Sequence, residues 1–184
     1  MTVPNVLTIL RILLTPLLVW LLLDNKLEQA LFVFFVAGMT DGLDGLIARL
    51  FNQKTQLGAY LDPLADKLLL VSSFILLGRL GLVPVWLVIV AVSRDAIILL
   101  GLLMLMFHDV PLVIRPSIIS KATTLVQLTT VLLVLCTPYI QLHAWVYSVC
   151  FVLTGVLCAM SGFHYITMGF SLYDACRNSN GSER

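Results

Sequence analysis

Four aspartates occupy some of the most hydrophobic sequence of this 184-residue chain: Asp41 and Asp44 three apart, then Asp62 and Asp66 four apart. A carboxylate at membrane depth costs about 3 kcal/mol on insertion scales and more in simulations of an isolated helix. Four of them need a compensating charge, and a hard divalent cation with all-oxygen ligands supplies it. Residues three or four apart share a helix face, so Asp41 and Asp44 form one pair, and Gly58, Asp62 and Asp66 form a row on the next helix. Without a cation the carboxylates repel and some protonate. With two Mg²⁺ or Mn²⁺ ions about 3.5–4 Å apart, the charges balance and the ions form a clamp for in-line transfer at phosphorus.

The neighbours of the aspartates fit that chemistry. Gly42 and Gly45 bracket Asp44, and Gly58 opens the facing helix. A glycine inside a helix costs up to about 1 kcal/mol relative to alanine, so each needs a reason. Close helix packing is one; backbone access for a bulky polar ligand is the other. Arg49, one turn beyond Gly45, suits a phosphate or diphosphate. Two other readings compete. A cluster that merely joins helices ordinarily uses Ser, Thr or Asn. A cation-coupled transporter also marks its path with intramembrane carboxylates. The run lies towards one face, however, and the chain lacks the paired, interrupted helices of an inverted repeat, which favours a metal-dependent phosphoryl-type enzyme.

The elements that must position these groups follow from hydropathy. The chain is 60% hydrophobic and 11% charged, against about 25% charged in soluble domains. Its mean hydropathy is +1.02. Six spans fit, at about 5–23, 29–50, 58–78, 83–107, 117–137 and 143–170, which predicts an all-α membrane protein forming a single domain over 1–184. Ile12–Leu23 has the apolarity of a signal-peptide core, but no small-residue cleavage site follows, so a retained first helix is expected. Nothing resembles an organelle transit peptide, which points to a bacterial plasma (inner) membrane.

Arg49, Lys54, Arg115, Lys121, Arg177 and Arg184 fall on one side, and Lys26 and Arg79 on the other; that imbalance places the N- and C-termini in the cytoplasm. The four aspartates then lie just inside the cytoplasmic face, on two helices expected to be antiparallel neighbours. A soluble substrate reaches them from the cytosol and a lipid reaches them from the leaflet. Arg11, Lys67 and Arg94 are basic residues within spans, each expected to face a polar cavity. Trp20, Trp86 and Trp145 sit near span ends on the opposite side, as interfacial anchors. The net charge of +1 gives no case for a nucleic-acid partner. Cys136, Cys150, Cys158 and Cys176 form no CxxC pattern and read as apolar filler, and His108, His143 and His164 have no partner at ligand spacing.

The run reads D-x2-D-G-x2-A-R-x8-G-x3-D-x3-D over Asp41–Asp66, and it resembles the signature of the CDP-alcohol phosphatidyltransferase family. The resemblance extends from Asn5-x2-Thr8-x2-Arg11-x4-Pro16 to the Lys121 region. It implies transfer of a phosphatidyl group from CDP-diacylglycerol to an alcohol with release of CMP. By the same resemblance, Asp41, Asp44, Asp62 and Asp66 would hold two divalent cations on the donor diphosphate. Asp66 would also take the proton of the attacking hydroxyl. Gly45, Arg49 and Gly58 would line the CDP site, with Asn5 and Thr8 nearby. Homodimers are a further property of the family.

The acceptor is less strongly encoded. Arg94, Arg115 and Lys121 are the cations available to an anionic acceptor, while Arg94 beside Asp95 also reads as a buried ion pair and Arg115 as a topology residue. Family members that use glycerol 3-phosphate carry Gly-Lys-x-Lys-Thr where this chain has Ser120-Lys121-Ala122-Thr123-Thr124. The chain is more similar to the branch that forms cardiolipin, with Ser93-Arg94-Asp95 and Pro116-Ser117-x2-Ser120-Lys121. One lysine fewer suits a phosphodiester of charge about −1, as in phosphatidylglycerol, better than a monoester approaching −2. Glycerol 3-phosphate stays open as the alternative acceptor.

Overall fold

The computed structural model describes residues 3–50, 56–107, 118–140 and 142–181, with side chains over 8–40, 64–101, 119–140, 142–165 and at 167. Six helices account for nearly all of it: α1 Val3–Leu23, α2 Leu27–Leu50, α3 Gln56–Arg79, α4 Val85–Phe107, α5 Ile118–Leu135 and α6 Ala144–Gly181. They stand where six spans were expected, so the all-α class holds. By length and apolarity, the 22-residue stretch Ala144–Tyr165 qualifies as a membrane crossing among the described residues. The apolar stretches Thr8–Leu23, Leu27–Thr40 and Ile119–Leu135 are shorter. Helix α6 continues past the expected end of its span at about 170, because no proline follows Pro138 to stop it.

Two turns at one end of the bundle close in the same way. Lys26 N donates to Leu21 O and Asn25 N to Leu22 O, with Asn25 at φ 58°. Leu82 N donates to Leu77 O and Gly81 N to Gly78 O, with Gly81 at φ 72°. Both are Schellman caps, in which a residue that tolerates positive φ satisfies the last helical carbonyls and reverses the chain within a few residues. The short 1–2 and 3–4 connections therefore follow from Asn25 and Gly81.

The helices pack as two groups. Helix α1 lies along both α2 and α3, while α6 lies along α4 and α5; α3 against α4 and α2 against α5 join the groups. Among the described residues α2 and α3 each pack most extensively on α1; the ends at which the two were expected to adjoin, 41–50 and 56–63, lie outside the described side chains. Leu18, Leu22, Phe34, Leu69, Leu70, Phe74, Leu77, Leu87, Val131 and Leu135 form one buried core across both groups. The outer surface is itself apolar: Phe32 and Phe163 are each 70% exposed and Trp145 66%. A continuous apolar exterior over a packed core is what a lipid-facing bundle requires.

Helices α4 and α6 approach closely at Gly155, where an added Cβ would lie 2.5 Å from Trp86 Cζ3. Gly155→Val is expected to lower stability by about 1–3 kcal/mol, since overpacking outweighs the small gain in helix propensity. Thermal unfolding of the purified protein in detergent checks this.

Candidate active site and its buried charges

Asp66 is the member of the aspartate run whose side chain is described. It is 24% exposed, with Oδ1 4.0 Å from Nη1 of Arg11, whose side chain is 1% exposed. Helix α1 brings Arg11 there because Thr8, Arg11, Leu18 and Leu22 are buried while Leu13, Leu17 and Trp20 face outwards. Thr8 is 1% exposed and lies one turn before Arg11. Ala65 and Leu69 anchor α3 in the core on either side of Asp66. Arg11, expected to face a polar environment, thus adjoins a carboxylate of the run.

Asp41, Asp44, Gly45 and Arg49 lie in the last turns of α2, and Gly58 and Asp62 in the first turns of α3, so the expected helical spacing is continuous on both elements. Their side chains, and that of Asn5, lie outside the described side chains, and Arg115 lies outside the described residues. Among the described residues no group of three or more His, Cys, Asp or Glu stands together as a metal centre.

A second set of charges lies one residue along from Asp66. Lys67 Nζ is 2.7 Å from Asp95 Oδ1, and Arg94 Nη1 is 2.6 Å from the same oxygen. Arg94 spends its remaining donors inside the protein. Nη2 donates to Ser120 Oγ at 2.8 Å, Ser120 O at 3.2 Å and Ser161 Oγ at 3.2 Å, and Nε donates to Ser161 Oγ at 3.3 Å. Arg94 and Asp95 are 2% and 3% exposed, and Lys67 16%. The planar guanidinium thereby ties α4 to α5 and α6, a geometry an ammonium could not reproduce. Of the two readings of Arg94, this arrangement is the buried ion pair.

Three polar residues of α5, Thr123, Gln127 and Thr130, face its seam with α6. Thr123 Oγ1 donates to Leu157 O at 3.3 Å, Gln127 Nε2 to Cys158 Sγ at 3.4 Å, and the Thr130 and Thr154 hydroxyls meet at 2.7 Å. These rungs recur every three or four residues, the spacing of one helix face. Thr123, named from sequence as an acceptor clue, and Gln127 are both completely buried there. Lys121 is exposed at the start of α5. What sequence reasoning missed is that Lys67 shares Asp95 with Arg94. Pairing each in-span cation with an in-span carboxylate outside the motif would have found it, because Asp95 is the candidate that remains.

The signature of the CDP-alcohol phosphatidyltransferase family matches residues 1–164. A rat protein named cardiolipin synthase (CMP-forming) is 36% identical over 89% of this chain and 61% of its own length. Its human counterpart is 34% identical over 91% of this chain and 62% of its own. A Streptomyces coelicolor protein of the same name is 36% identical over 60% of this chain. The chain spans about three fifths of the length of the rat and human relatives.

Loss of Arg94 would remove the donor to Ser120 Oγ and Ser161 Oγ and one of the two cations on Asp95. Arg94→Met is therefore expected to destabilise by about 2 kcal/mol or more, the cost of its lost charge-assisted hydrogen bonds, while Lys67 keeps Asp95 paired. Lys121→Gln, on the surface, is expected to stay within about 0.5 kcal/mol. Unfolding of both variants in the same detergent checks the contrast.

Proposed function

The chain belongs to the CDP-alcohol phosphatidyltransferase family, and from that premise we propose that it transfers the phosphatidyl group of CDP-diacylglycerol to phosphatidylglycerol, forming cardiolipin and CMP. The single observation that carries this reading is the unbroken eight-position run from Asp41 to Asp66, set on two helices and adjoined by the buried Arg11. The acceptor rests on the names of the relatives and on Arg94. With Arg94 bonded to Asp95, Ser120 and Ser161, Lys121 is the exposed cation at that end of α5 among the described residues, which suits a phosphodiester of charge about −1.

In this reading the six helices all cross a plasma membrane, both termini are cytoplasmic, and the site opens to the cytoplasmic leaflet. The excess of Lys and Arg on that side and the apolar exterior support it. The active unit would be a homodimer, as the family resemblance implies.

The donor set fits a hard divalent cation: four carboxylates, with no thiol or imidazole in the run. Asp41, Asp44, Asp62 and Asp66 would hold two Mg²⁺ or Mn²⁺ ions, which when bound would neutralise the donor diphosphate and the departing CMP. By the family resemblance, Gly45, Arg49 and Gly58 would line the CDP site, with Arg49 suited to its diphosphate, and Asn5 and Thr8 would stand nearby. The acceptor hydroxyl oxygen forms a bond to the phosphorus that carries diacylglycerol. The bond from that phosphorus to the CMP oxygen breaks. Asp66 takes the hydroxyl proton, and Arg11 keeps its carboxylate oriented.

Asp66→Asn is expected to leave a folded protein with activity lower by about 10² or more, the usual worth of a general base. Near-normal CMP release by that variant would remove Asp66 from the role. Excess EDTA is expected to abolish CMP release, and Mg²⁺ or Mn²⁺ to restore it. To settle the acceptor, purified protein is given labelled CDP-diacylglycerol with either phosphatidylglycerol or glycerol 3-phosphate. Cardiolipin is the expected product; phosphatidylglycerophosphate alone would transfer the reading to the other branch. CMP release in detergent, where no gradient exists, separates transfer from transport.

A further inference from the structure

We propose that Lys67 is a positioning residue, whose ion pair with Asp95 clamps the Asp66-bearing helix α3 to the α4–α5–α6 half and so fixes where Asp66 stands towards the acceptor. The proposal rests on the reading of Asp66 as the proton acceptor.

Consecutive residues on a helix diverge by about 100°, so Asp66 and Lys67 reach in different directions. Asp66 meets Arg11 of α1 at 4.0 Å, and Lys67 meets Asp95 of α4 at 2.7 Å. Helix α3 is thus gripped from both sides at one level, by its own group through Asp66 and by the other group through Lys67. The far end of the grip is rigid. The same Asp95 oxygen is held at 2.6 Å by Arg94, which is bonded in turn to Ser120 on α5 and Ser161 on α6. Any displacement of α3 along the boundary stretches a short, charge-assisted contact. The geometry of the reacting groups is correspondingly protected, and a misplacement of about 1 Å can cost 10²-fold in rate.

The clamp is separable from the fold. Removing Lys67 leaves Asp95 paired with Arg94, so no carboxylate is buried without a cation. Removing Asp95 would strand two cations instead. Lys67→Met, which also conserves most of the side-chain length, is therefore the informative variant, with Lys67→Arg as the conservative control that can still reach Asp95.

The test measures kcat and KM for donor and acceptor alongside deuterium exchange of the 64–70 amides in detergent, for wild type and both variants. The clamp predicts for Lys67→Met a kcat lower by about tenfold or more, a donor KM within about twofold, and several-fold faster exchange at 64–70. It predicts recovery of most of both in Lys67→Arg. Unchanged exchange and unchanged kcat in Lys67→Met overturn it. So does a lower kcat that Lys67→Arg fails to recover while exchange stays unchanged. If wild-type protein releases no CMP from CDP-diacylglycerol, the functional reading fails, and the exchange comparison alone decides whether Lys67 holds α3.

Discussion

One oxygen of Asp95 accepts from Lys67 at 2.7 Å and from Arg94 at 2.6 Å, and the mutual position of the two helix groups depends on that junction. A charge withdrawn from water loses several kcal/mol of solvation and recovers it only through a partner of opposite sign at good geometry. Here two cations share one carboxylate, and the second cation is satisfied by Ser120 and Ser161. Each group of the junction is bonded to a residue of another helix. The apolar core spreads the packing energy widely; the junction fixes the register.

Such fixity matters next to the aspartate run. The run is a concentration of negative charge that Arg11 offsets from one side and, in the proposed function, two divalent cations offset from the other. Chemistry at phosphorus needs those charges held in place while a lipid substrate enters and leaves. A bundle of apolar helices in lipid has little hydrophobic drive between its members, so small residues and polar contacts must set their packing. The Thr and Gln rungs between α5 and α6, the close approach at Gly155 and the Lys67–Asp95–Arg94 junction are those devices in this chain.

Much of this was legible in the residues. Hydropathy indicated six helices with ends near those found, except that α6 runs on to Gly181, since apolar runs interrupted by Asp24-Asn25-Lys26 or Gly78-Arg79 leave little freedom. The aspartate run stood out because four carboxylates in such apolar sequence are too costly to be incidental. Long-range partners were less readable. Helical spacing says which residues share a face but not which helix they meet, so the extensive packing of α1 along both α2 and α3 was not readable. For the same reason the sequence did not show that Thr123 and Gln127 are buried in the α5–α6 seam. Arg94 was readable in both senses, and its many internal bonds are what the sequence could not count.

The central claim is that the four aspartates are there to hold divalent cations on a lipid-linked diphosphate. Titration of purified protein with Mn²⁺, followed by electron paramagnetic resonance in the presence of CDP-diacylglycerol, tests it most directly. The account predicts two bound Mn²⁺ per chain, with binding reduced in Asp62→Asn. No bound Mn²⁺ in the active protein, or binding indifferent to Asp62→Asn, would contradict it.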